Sequence, residues 1–175
     1  IQGPPGTGKT HTAVATLAQL AREGRGPILA TAESNVAVDN LLEGLLGLGV
    51  RAVRIGRPVK VRETLRMATL DAQLEEHPKQ DEIAIVRDEM DEVHRALPKL
   101  KGREKGLAHR DIQHNKKELR RLEREMIASV LDGAEVICST NIGSGHRILD
   151  GRRFPIVLMD EATQAIEPSA LIPIS

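Results

Sequence analysis

The sequence predicts an α/β protein, a parallel sheet flanked by helices with a helical hairpin inserted into it, and three observations predict that class. A glycine-rich phosphate-binding pattern at residues 3–10 opens directly into a helical stretch. Short β-branched runs alternate with amphipathic ones near both ends of the chain, the rhythm of a parallel sheet with helical crossovers. The middle carries a heptad seam of its own.

Residues 3–10 read Gly-Pro-Pro-Gly-Thr-Gly-Lys-Thr and meet G-x-x-x-x-G-K-[ST] at every fixed position. The spacing has a physical reason. Glycines let the backbone wrap closely around a β-phosphate, successive N–H groups turn inward, and the helix that follows adds its positive end. Gly3, Pro5, Gly6, Thr7, Gly8, Lys9 and Thr10 are therefore the candidate nucleotide-binding residues, with ATP and Mg²⁺ as the expected cofactors. The Lys9 ammonium suits the β- and γ-phosphates, and the Thr10 hydroxyl suits the metal. The bland alternative is a glycine-rich strand-to-helix turn that binds nothing.

The helix after the loop should run over 9–22 and end near Gly24. Strands are expected at 27–32, 50–55, 134–139 and 154–159, and a second helix at 35–46 with Ser34 as its N-cap. The last strand is apolar and runs into Asp160 and Glu161, the Walker B pattern. Asp160 would hold the Mg²⁺ shell, and Glu161 would orient and deprotonate the attacking water. Gln164, three residues on, reads as a sensor of the γ-phosphate or that water; a solvent-facing helix position is its alternative. Lys9, Asp160, Glu161 and Gln164 form the catalytic set, and Thr10 and Asp160 the metal set.

From 57 to 130 the alternation stops. Ile83, Val86, Met90, Val93, Leu97 and Leu100 step 3, 4, 3, 4, 3, and Ala108, Ile112, Asn115, Leu119, Leu122 and Met126 continue similarly. Gly102 and Gly106 lie between the two runs and Pro98 should kink or end the first, so a helical hairpin is expected. The domain reading is thus 1–56 with 131–175 as the α/β domain and 57–130 as the insertion. Residues 71–92 hold nine acidic and two basic side chains, and 95–121 hold ten basic and three acidic. Either the arms neutralise one another, or the basic turn and second arm touch nucleic-acid phosphates.

Composition sets the outer bounds. A chain of 175 residues fits one main domain, and 25 basic against 25 acidic residues leave no global field to announce a nucleic-acid or membrane partner. Cys138, the single cysteine, excludes an internal disulfide, and no apolar run reaches the length of about 18 that a membrane span needs. The chain reads as soluble and intracellular, in cytoplasm or nucleus. It opens at Ile1 without an initiator Met, with its phosphate loop lacking most of a leading strand, so a larger protein truncated at both ends is expected.

Taken in order, GPPGTGKT, ATAESNVAVDNLL, AEVICSTNIGSG and MDEATQAIEPSALIPI resemble superfamily 1 helicases of the up-frameshift type, the group of the nonsense-mediated-decay helicase and senataxin. The resemblance covers nearly the whole chain, and DEATQ is more discriminating than the P-loop. It implies a RecA-like P-loop domain and an ATP-dependent helicase that translocates 5′ to 3′ on single-stranded RNA or DNA. It further implies that residues 32–39 form motif Ia, with Ser34 and Asn35 near the nucleic-acid backbone, and that Ser139 and Thr140 belong to the next nucleic-acid motif. For both pairs, capping of the following element is the alternative. The ATP cleft of that family is completed by a second RecA-like domain of the same chain, which carries the arginine fingers, so the resemblance implies weak ATP–Mg²⁺ binding and poor hydrolysis by this half alone. A P-loop ATPase or kinase without motor activity is the competing enzyme class. A non-motor protein using the hairpin as a docking arm is the third reading.

Overall fold

The computed structural model describes residues 1–4, 6–59 and 63–175, so Pro5 of the phosphate loop and the start of the predicted insertion at 60–62 lie outside the described residues. Helix α1 (Lys9–Arg22) leads into strand β1 (Ile28–Ala32), helix α2 (Asn35–Gly47) and strand β2 (Ala52–Arg54). Short helices α3 (Glu63–Met67) and α4 (Leu70–Glu75) precede the long helices α5 (Gln80–Ala96) and α6 (Gly102–Gly133). Strands β3 (Val136–Thr140) and β4 (Ile156–Asp160) and helix α7 (Glu167–Leu171) complete the chain.

The four strands form one all-parallel sheet in the order β2-β3-β1-β4, the α/β class the alternation predicts. Ile28 faces Val136 on one side and Ile156 on the other, and Ala32 faces Thr140 and Asp160. All four strands therefore end at one edge of the sheet, where open α/β folds gather their ligands. The strands start one or two residues later than the hydrophobic runs that foretell them. Pro27 has no N–H to offer a ladder, and pairing begins when Ile28 N donates to Glu135 O at 3.0 Å.

Helix α1 covers the predicted residues, and α2 runs one residue past its predicted end. Ser34 caps α2, its Oγ accepting from Ala37 N at 3.1 Å. The two helices lie on one sheet face. Val14, Leu17, Ala18, Val38, Leu41, Leu42 and Leu45 close over Ile28, Ala30, Val136 and Cys138. Each fully buried leucine there contributes about 1.5–3 kcal/mol. A Cβ at Gly44 would come within 2.8 Å of Val14 Cγ2, so its absence sets how closely the helices cross.

The chain divides into two compact units, Ile1–Gln73 with Val130–Ser175, and Leu74–Ser129. The second holds helix α5 and most of α6. Ile83, Leu122 and Met126 form its small core, with Leu74, Val86 and Leu119 packed against it. Helix α5 ends at Ala96 in a 3-10 turn, Leu97–Lys99, that contains Pro98, as proline's missing N–H dictates. Gly106, expected between the arms, instead lies inside α6; only Gly102, with φ of 54°, serves the turn. Among the described residues no ion pair joins an acid of 71–92 to a base of 95–121. The pairs run the other way, Lys79 to Glu125 and Arg87 to Glu123 at 3.8 Å. Hydrogen bonds from Arg121 hold the Glu118 carboxyl below its usual range, and those from Lys79 and Arg121 do the same at Glu125. No helix of the described residues is long and apolar enough to cross a membrane.

Candidate functional site

The phosphate loop is shaped by its own small residues. Gly6 and Gly8 adopt φ of 78° and 82°, and a Cβ at Gly3 would come within 2.7 Å of Thr7 Oγ1. Thr7 Oγ1 donates to Pro4 O at 2.8 Å, and Lys9 Nζ donates to Gly3 O at 2.9 Å and to Pro4 O at 2.8 Å. An ammonium has three donors, so two hold the lysine over the loop and one stays available to an anion. Thr12 N, donating to Gly8 O, makes the first intrahelical bond of α1. The N–H groups of Lys9, Thr10 and His11 lie ahead of it, at the positive end of the helix.

The loop and the end of β4 meet directly, because Thr10 Oγ1 donates to Asp160 Oδ2 at 2.8 Å across 150 residues of sequence. Asp160 is 8% exposed, and its other oxygen accepts from Glu161 N at 3.0 Å. Asp160 is the last residue of β4 rather than the first beyond it, since β4 keeps register with β1 through Ala32. Glu161 is exposed and has φ of 54°, which makes it the only non-glycine residue with positive φ among the described residues. A 3-10 turn, Ala162–Gln164, follows; Gln164 N donates to Glu161 O at 2.9 Å, and Gln164 is exposed. Thus Lys9, Thr10, Asp160, Glu161 and Gln164 are carried by two adjoining pieces of backbone. A hydroxyl beside a carboxylate suits a small hard cation that keeps water and phosphate oxygens as its other ligands. Among the described residues no three His, Cys, Asp or Glu side chains cluster as a protein-only metal cage.

The second group lies at the ends of β1 and β3. Ser34 and Asn35 are exposed at the start of α2. Thr140 is half-buried, and its Oγ1 accepts from Gly143 N at 3.0 Å. Capping by Ser34 and this turn at Thr140 are both real, and neither takes either hydroxyl's proton. Ser139 departs from the expectation. It is fully buried, in register with Thr31, and the hydroxyls of both lack a partner among the described residues. Strand alternation turns Ser139 to the opposite face from Cys138 and Thr140.

Two clusters here escape sequence reading. Arg54, 1% exposed, donates from Nε to Asp39 Oδ1 at 2.8 Å, from Nη2 to Asn35 Oδ1 at 2.8 Å, and from Nη1 to Ile55 O at 2.9 Å. The one signal in the sequence was an arginine inside an apolar strand run. On the other face, Asn141 Nδ2 donates to Glu33 Oε2 at 2.9 Å, and Ser169 Oγ donates to the same oxygen. That link ties the segment after β1 to α7, and no local spacing announces it.

The family described as AAA domain matches residues 1–175. DNA polymerase alpha-associated DNA helicase A of Schizosaccharomyces pombe is 35% identical over 175 residues, covering 99% of this chain and 26% of that protein. DNA-binding protein SMUBP-2 of Mus musculus is 36% identical over 179 residues, covering 99% and 18%. A regulator of nonsense transcripts 1 homolog of Arabidopsis thaliana is 38% identical over 176 residues, covering 99% and 13%. The chain therefore spans about an eighth to a quarter of the length of these relatives.

Proposed function

This chain belongs to the AAA domain family, as the N-terminal RecA-like region of a superfamily 1 helicase of the up-frameshift type, and we propose that it is the ATP-binding core of an ATP-dependent motor on single-stranded RNA or DNA. One observation carries the reading: the hydrogen bond from Thr10 to Asp160, which joins the phosphate loop to the carboxylate at the end of β4. The family supports 5′ to 3′ travel within the cell interior. A second RecA-like domain of the same protein is the partner that closes the cleft. Residues 1–56 with 131–175 act as the RecA-like domain, and 57–130 as a helical subdomain set into it.

The residues divide the work. Backbone N–H groups of the loop bind the phosphates, and the spare Lys9 donor meets the β- and γ-oxygens. Thr10 and Asp160 would hold Mg²⁺, which when bound neutralises charge on those oxygens. Glu161 takes the proton of the attacking water, and Gln164 orients that water. Ser34, Asn35 and Thr140 offer neutral donors to the backbone of a strand, and Ser139 supports the segment from beneath; such contacts position a strand without reading its sequence.

ATP hydrolysis by the full-length protein, measured with and without poly(U) or poly(dT), tests the reading. Stimulation by the strand is expected. Equal rates in both conditions would sink the motor and leave only a phosphate-binding enzyme.

A further inference from the structure

Asn35 stands exposed at the first turn of α2, yet its side chain is not free to choose which way it faces. Its Oδ1 accepts from Arg54 Nη2 at 2.8 Å, and Arg54 is itself held by further partners. The guanidinium is 1% exposed, gripped by Asp39 one helical turn further along α2 and by the Ile55 carbonyl. Asp39 Oδ2 accepts in addition from Val59 N at 2.8 Å. A planar fork with three donors in use cannot swing aside as a flexible ammonium would. With Oδ1 taken, the Asn35 carboxamide turns its Nδ2 hydrogens outward, and Nδ2 makes no hydrogen bond among the described residues. Beside it Ser34 Oγ already accepts from Ala37 N, so its hydroxyl too has a proton left to donate.

We infer that buried Arg54 is a positioning residue for strand binding: by holding Asn35 Oδ1 inward it turns the amide donors of this corner of α2 outward, toward acceptors such as phosphate oxygens. The inference rests on the reading that Ser34 and Asn35 face nucleic acid. It adds a residue that no strand touches and that acts solely through Asn35.

The test uses the full-length protein and a fluorescein-labelled dT single strand, with affinity read by anisotropy and folding by thermal unfolding. Asn35→Asp is the informative variant. A carboxylate pairs with Arg54 at least as well and suits a helix N-terminus, so a purely structural role leaves both stability and affinity at wild-type level or higher. Amide donors held outward instead predict retained stability with affinity lower than that of Asn35→Ala, which should itself lose about ten- to a hundredfold for one hydrogen bond to a charged group. Arg54→Lys should weaken binding in the wild-type background and have no further effect in the Asn35→Ala background. Wild-type affinity in Asn35→Asp, or losses from the Arg54 and Asn35 changes that simply multiply, overturns the inference while the motor reading stands. Failure of the unaltered protein to bind the strand overturns both.

Discussion

Glu161 combines an exposed carboxylate with φ of 54°, a conformation that costs an L-residue about 1–2 kcal/mol. Two backbone hydrogen bonds hold it there, Glu161 N to Asp160 Oδ1 and Gln164 N to Glu161 O. Strain retained at an exposed acid beside a phosphate loop points to use rather than packing. Glu161→Gln in the full-length protein should keep affinity for a fluorescent ATP analogue and lower turnover by about 10²–10⁴, the usual contribution of a positioned general base. Lys9→Ala should act on affinity itself, by about ten- to a hundredfold. Undiminished turnover in the first variant, or undiminished affinity in the second, would remove that residue from its role. These residues were legible because each lies at fixed spacing in one short run. Arg54 was not, since its partners Asp39 and Asn35 are 15 and 19 positions away. Ser139 was half legible: its position at a strand's end is right, but facing is decided by register. Cys138 offers no competing chemistry, because burial pushes its thiol up to about 12 and keeps it neutral.

At the scale of elements, two glycines that look alike in sequence have opposite consequences. Gly102 and Gly106 both sit between two apolar seams. Gly102 has φ of 54°, whereas Gly106 lies exposed within α6, and a methyl group added there would meet nothing within 4 Å. Gly106→Ala should therefore stabilise the helix by about 0.8–1 kcal/mol, and Gly102→Ala should destabilise the turn by about 1–2 kcal/mol. Urea midpoints of the two variants should move in opposite directions; a shift of the same sign in both would contradict the assigned turn. The element types and their order were readable because periodicity of 2 or 3.6 is a local property. Ends were less readable. Strand starts depend on where a neighbour's first acceptor lies, as at Ile28, and α3 and α4 are too short to display a period.

For the whole molecule, net charge is zero, so long-range attraction to a polyanion must come from how charge is distributed. The sequence left two uses for the sorted charges of the helical pair. Direct neutralisation is not the arrangement found, since the bridges to α6 come from Lys79, just before α5, and from Arg87 within it, to Glu125 and Glu123. Lys101, Arg103 and Lys105 at the turn are exposed and enter no ion pair among the described residues. A basic turn left unpaired in a neutral chain is suited to phosphates. Each phosphate neutralised on a single strand contributes about −0.7 to the slope of log K against log salt, so losing three contacts should flatten that slope by about 2. Lys101→Glu, Arg103→Glu and Lys105→Glu together, in the full-length protein titrated with poly(dT) across a salt series, measure this. The turn lies outside the phosphate loop, so weaker strand binding should come without weaker ATP binding. Affinity and slope both unchanged would remove the turn from strand contact and leave, in this chain, the proposed contacts at Asn35 and Thr140, which are neutral and to which the salt slope owes nothing.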